Sequence, residues 1–188
     1  VSSSTPSGRE EITGGGVIEN FQTLLTNPSY PSLHVLVIHF PIALICLAPL
    51  IDLGCLIFRD RVWLDRAATL LYVTGAIGAG AAYLSGERAA KALVNISPAA
   101  ESALADHESA AMITLIALAI VSLFRIWVSW LSRNDRRISL GFFRLAAIPM
   151  AIAGLALLAL TADRGGSLVY EHGLGVQAEQ TGISKLER

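Results

Sequence analysis

The chain contains four histidines, His34, His39, His107 and His172, and they are its first chemical signal. Neutral imidazole is the commonest metal ligand in proteins, and imidazoles on two facing helices can hold a haem iron from both sides. His34 and His39 stand near the start of one long apolar block, His107 just before another, and His172 just after a third. If consecutive blocks run antiparallel, all four gather at one end of a bundle. Five helical residues set His39 about 7.5 Å deeper than His34 and about 140° around the helix, so the two do not readily address one ligand plane. Pro41 loosens that restriction by permitting a bend. Depth alone pairs His39 with His107 and His34 with His172, as axial ligands of one or two non-covalent b-type haems.

Other chemistry finds no support. There is no nucleotide loop, no G-x-S-x-G, no H-E-x-x-H and no acid/base carboxylate pair, which argues against a hydrolase or transferase. A redox carrier or accessory subunit fits better than a stand-alone enzyme. Cys46 and Cys55 lie nine residues apart, about 900° on a helix, and so face opposite ways. Neither forms part of C-x-x-C-H, which excludes covalently attached c-type haem within the chain.

The elements that must position the histidines follow from composition. Of 188 residues, 53% are hydrophobic and only 15% charged, with mean hydropathy +0.57. A soluble domain carries about 25% charged residues. Lys and Arg (14) nearly balance Asp and Glu (15), which argues against nucleic acid as a partner. The apolar residues fall into four blocks, Leu33–Phe58, Val62–Ser85, Ala110–Leu131 and Phe142–Ala162, each near the ~20 residues that cross a hydrocarbon core. Ser97-Pro98 is a helix start that extends the third block outward. Short connections make sequential helices antiparallel neighbours, giving an all-α, four-helix transmembrane bundle over residues 31–176. Ahead of it, residues 1–16 read as a flexible arm and 17–30 as a short amphipathic interfacial helix; 177–188 read as a polar tail.

Arg59, Arg61, Arg66, Arg133, Arg136, Arg137 and Arg144 cluster on one side of the spans, against Arg88, Lys91 and Arg164 on the other. The positive-inside rule then puts the arginine-rich side in the cytoplasm and both termini, with the histidines, on the periplasmic side of a bacterial inner membrane. Trp63, Trp127 and Trp130 suit the cytoplasmic interface, and Tyr30, Tyr83 and Tyr170 the outer one. The run Gly75–Ala82 in the second span reads either as close helix packing or as room for a macrocycle. Arg164–Gly175, rich in glycine, reads as a C-cap and exit loop or as backbone approaching a ligand. Asp52 is expected to pair with Arg61, Arg66 or a neighbouring helix end, and Arg125 to snorkel toward the interface.

The run Leu33-His34-Val35-Leu36-Val37-Ile38-His39-Phe40-Pro41-Ile42-Ala43-Leu44 resembles the opening of the bacterial membrane family known as domain of unknown function 2231, whose first span carries an L-H-x-x-x-x-H-F-P-I-A-L-like motif. The resemblance continues through Asp106-His107-Glu108 and Gly165–Gly173 and covers about Ser32 to Val176. It implies a four-span protein that accompanies periplasmic cytochromes and redox enzymes, with b-type haem binding and electron transfer as the role suggested for such relatives.

The expected function is therefore a membrane electron-transfer subunit with haem near the outer face. Besides the lipid bilayer, its partners would be a periplasmic cytochrome c or dehydrogenase, other subunits of a redox complex, or quinone. An anchor or assembly subunit of a redox or photosynthetic complex is the alternative, and transition-metal binding at the histidines is the third reading.

Overall fold

The computed structural model describes residues 31–58, 61–134 and 140–174, and these form four long helices: α1 (Pro31–Ile57), α2 (Val62–Lys91), α3 (Pro98–Asn134) and α4 (Leu140–Tyr170). Each contains a stretch long and apolar enough to cross a membrane. The chain is an all-α membrane protein. The regions read as an arm (1–16), an amphipathic helix (17–30) and a tail (177–188) lie outside the described residues.

Helix ends follow local chemistry. At α3 the Ser97 hydroxyl accepts the Ala100 N–H at 3.2 Å, the side-chain cap expected at this position. Asn95, at φ 58°, turns the chain in the α2–α3 connection. α4 closes at Gly173, whose φ of +66° lets its N–H reach the Val169 carbonyl while Leu174 N–H reaches Leu168. The first of these is the bond of an αL cap. Pro41 and Pro49 lie inside α1 and Pro149 inside α4. Membrane helices tolerate such residues because neighbouring groups re-satisfy the freed carbonyls.

Two spans run further than hydropathy alone indicates. α2 continues six residues past Ser85 to Lys91, and α4 continues past Ala162 to Tyr170. The second extension corrects the reading of Arg164–Gly175 as an exit loop: Gly165 and Gly166 are helical, and the turn comes only after Tyr170.

The helices form an antiparallel ring in which α1 packs most extensively on α2 and α3 on α4, while α2–α3 and α1–α4 contacts close it. α1 and α3 thus face each other across one diagonal. Ile45, Ala48, Tyr72, Leu118, Val121 and Ala151 form the buried centre. Leu36, Leu70, Ile77, Leu123 and Ile152 all point outward, as side chains bathed by lipid do. The Gly75–Ala82 run is filled by close packing: a Cβ on Gly75 would lie 2.6 Å from Ile45 Cδ1, and one on Gly78 3.1 Å from Phe40 Cδ1. α1 occupies the space that side chains would have taken.

The end opposite the histidines holds buried charge, and here two expectations are corrected. Asp52 pairs with Arg125, whose Nη2 lies 2.7 Å from Oδ1, and not with Arg61 or Arg66, both of which are exposed. Arg125 does not snorkel; it is fully buried. Its guanidinium also lies 3.4 Å from Asp65, which accepts the Ser129 hydroxyl at 2.9 Å. A charge left alone in hydrocarbon costs several kcal/mol, so the strand of polar groups collects on one centre where each finds an opposite.

Candidate functional site

The four histidines occupy three kinds of environment. His34 is half-buried near the start of α1, with its ring edge on Gly86 of α2 and its Nδ1 3.0 Å from the Ser85 hydroxyl. That hydroxyl also lies 2.8 Å from the Ala82 carbonyl; when its proton goes there, it accepts from the imidazole and Nδ1 carries the ring proton.

His107 repeats this arrangement on α3. It is half-buried, its ring edge lies on Gly165 of α4, and Nδ1 is 3.1 Å from the Thr161 carbonyl. A carbonyl can only accept, so Nδ1 must donate. A polar ladder continues beneath the ring. Thr161 and Thr114 hydroxyls lie 2.7 Å apart and each is within reach of the Leu157 carbonyl, at 3.0 and 3.1 Å, so one donates to the carbonyl and the other to its neighbour.

In both residues the Nδ1–H is engaged, which leaves Nε2 with its lone pair. Metal-bound histidines show this division of labour: one ring nitrogen donates to a carbonyl or hydroxyl and thereby fixes the tautomer and orientation of the other. The two rings come from diagonal helices and lie within electrostatic reach of each other.

His39 stands apart. It is exposed, and its Nδ1–H is turned back onto the Val35 carbonyl of its own helix at 2.6 Å. Depth pairs His39 with His107; the bundle instead brings His34 and His107 toward one interior. The reason is angular, since the face that carries His34 also carries Pro41, Ile45 and Ala48 into the core, and His39 falls outside that stripe. His172 is half-buried in the turn that follows α4.

Beside His107, an open cavity of about 480 Å³ is lined by Asp106, Asp163, Arg164, Ser167, Tyr170 and Glu171 among others. Arg164 straps α4 to α3 there by donating to the Asp106 carbonyl at 3.0 Å. None of the histidines is among the cavity's lining residues. Among the described residues, no three His, Cys, Asp or Glu side chains stand together as ligands for a bare metal ion.

Sequence reasoning passed over Ser85, Gly86, Thr161 and Gly165 as partners of the imidazoles. The available signal was the pairing of a histidine at the start of one helix with a glycine near the end of the next, present in both halves of the chain.

A family model described as a predicted membrane protein, DUF2231, matches residues 31–178. No curated protein and no solved structure matches the chain.

Proposed function

The chain belongs to the DUF2231 family of predicted membrane proteins, and from that premise we propose that it is a membrane electron-transfer subunit holding a non-covalent b-type haem between its two helical hairpins. His34 and His107 would hold it. The observation that carries this reading is that two half-buried imidazoles on diagonal helices each hold Nδ1 against the returning helix of their hairpin, whereas His39 is exposed and bonded to its own helix. The donor set favours haem over a bare transition-metal ion. A porphyrin supplies four of iron's ligands, so two imidazoles complete the set, whereas a tetrahedral metal site needs about four from protein.

When bound, the haem would supply reversible one-electron chemistry. The chain's own contribution is to hold both rings in one tautomer, exclude water with the Ile45, Tyr72 and Leu118 layer beneath, and present the site at one membrane face. By the arginine bias that face is periplasmic and the membrane the bacterial inner one. A periplasmic cytochrome c or dehydrogenase could exchange electrons there, or quinone from the bilayer.

The test is a reduced-minus-oxidised absorption spectrum of the detergent-purified chain, with extracted-haem quantitation. A sharp alpha band at about one haem b per chain is expected. A flat spectrum from folded protein supplied with haem sinks the reading and leaves an anchor or assembly role in a redox complex as the alternative. His39 and His172 retain a part only if the ratio approaches two.

A further inference from the structure

The two hairpins carry one arrangement twice. His34 and His107 are 73 residues apart, and the same step takes each buried residue of α1 onto a buried residue of α3: Pro41 onto Thr114, Ile45 onto Leu118, Ala48 onto Val121, Asp52 onto Arg125 and Cys55 onto Val128. On the returning helices a step of 79 takes Ala68 onto Ala147, Tyr72 onto Ala151, Gly75 onto Gly154 and Gly86 onto Gly165. Contacts repeat along with positions. Gly75 lies against Ile45 and Gly154 against Leu118. Nδ1 of each ring reaches the returning helix beside its glycine: His34 meets the Ser85 hydroxyl, itself bonded to the Ala82 carbonyl four residues before Gly86, and His107 meets the Thr161 carbonyl four residues before Gly165.

We infer that the hairpins are structural copies of one imidazole-gripping unit, in which Gly86 positions His34 and Gly165 positions His107. The inference rests on the proposed function only for the identity of the ligand; the two grips are a property of the chain.

The glycines act by what they leave out. A Cβ on Gly86 would stand 2.9 Å from His34 Cε1, and one on Gly165 3.0 Å from His107 Cε1. Non-bonded carbons settle at about 3.5–4.0 Å, so either ring would have to withdraw by about half an ångström or more. Withdrawal loosens the bond from Nδ1–H to the helix behind it. The proton is then free to move to Nε2, which imidazole prefers in water and which removes the ligating lone pair. Gly80 provides the comparison, since its Cβ would meet only Leu115 Cδ1, at 4.0 Å.

Histidine-selective 15N and 13C NMR of the full-length protein in detergent, without haem, tests this directly, because only four histidines need assigning. His34 and His107 are expected as Nδ1–H tautomers. Gly86→Ala should move the His34 signals alone and Gly165→Ala those of His107 alone, while Gly80→Ala should move neither. Finding Nε2–H on either ring in the unmodified protein overturns the inference whether or not any variant folds. So does a Gly86→Ala or Gly165→Ala protein whose histidine signals are unchanged. Haem titration of the same samples separates the two proposals. Correct tautomers without haem uptake remove the haem reading and leave the grips standing. Haem uptake with identical low-spin spectra in both glycine variants removes the positioning role.

Discussion

Arg125 Nη2 lies 2.7 Å from Asp52 Oδ1, and these two buried residues stand on helices that face each other across the diagonal of the bundle. Each is also 18 residues beyond a histidine of its own helix, Asp52 beyond His34 and Arg125 beyond His107. Eighteen residues make five full turns, so the charge and the imidazole share one helix face about 27 Å apart. Turning α1 or α3 about its axis would bury a charge without its partner at one end and swing an imidazole outward at the other. The ion pair thus fixes the rotation of both helices, and with it the inward aim of His34 and His107.

Removing Arg125 should therefore be costly. An Arg125→Met variant leaves Asp52 and Asp65 buried without the guanidinium between them, and breaking a buried pair from one side costs about 3–5 kcal/mol. Arg125→Lys should fall between this and the parent, because an ammonium cannot extend a planar fork to two carboxylates. Denaturant unfolding in detergent, followed by tryptophan fluorescence, measures the order. Equal stability of Arg125→Met and the parent would deny the pair its role.

The histidines should separate into two classes. Under the proposed function, His34→Ala and His107→Ala each remove a half-buried ring held against the neighbouring helix, and each should abolish haem binding. His39→Ala removes an exposed ring bonded to its own helix and should leave haem content and band position unchanged. Loss of haem on His39→Ala with retention on His34→Ala would reverse the assignment.

The spans were legible in the sequence because hydrocarbon thickness imposes a length that composition reveals directly. Ser97-Pro98 was legible as a helix start, since the cap is a local device. The partner of Asp52 was not: Arg61 and Arg66 are near in sequence, whereas Arg125 becomes near only once α1 and α3 face each other. Gly165-Gly166 has one spelling for a loop and for a helix that lets a ring come close, and only the position of His107 distinguishes them. The repeat was hidden by its own chemistry. Its equivalent positions carry Asp in one half and Arg in the other, a relation that also holds between Asp65 and Arg144, each 21 residues before the gripping glycine. Complementary charges at like positions favour the pairing of unlike halves, and they erase the likeness a comparison of residue types looks for.

Close packing within the first hairpin gives a third expectation. A Cβ on Gly75 would stand 2.6 Å from Ile45 Cδ1 and 2.8 Å from Cγ1, where α2 packs on α1. Overpacking of this kind costs about 1–3 kcal/mol, more than the fraction of a kcal/mol alanine returns in helix propensity. Gly75→Ala should lower the unfolding midpoint. Adding Ile45→Val, which deletes Cδ1, should restore much of it, and a double variant no more stable than Gly75→Ala alone would place the strain elsewhere.

The last expectation concerns which way the bundle faces. Arg61 and Arg66 are exposed at the end where Asp52 and Asp65 are buried. The histidine end carries Glu87, Asp106, Glu108, Asp163 and Glu171 against Arg88, Lys91 and Arg164. Basic residues in short connections resist translocation, whereas acidic ones count for little, so the first end should lie in the cytoplasm. A cysteine placed at Asn95, in the connection on the histidine side, should react with a membrane-impermeant maleimide in intact spheroplasts. One placed at Arg61 should react only after permeabilisation. The native Cys46 and Cys55 both lie within α1, inside its apolar span, so the unsubstituted chain supplies the background signal. The reverse pattern would turn the histidine site toward the cytoplasm and replace a periplasmic electron partner with a cytoplasmic one.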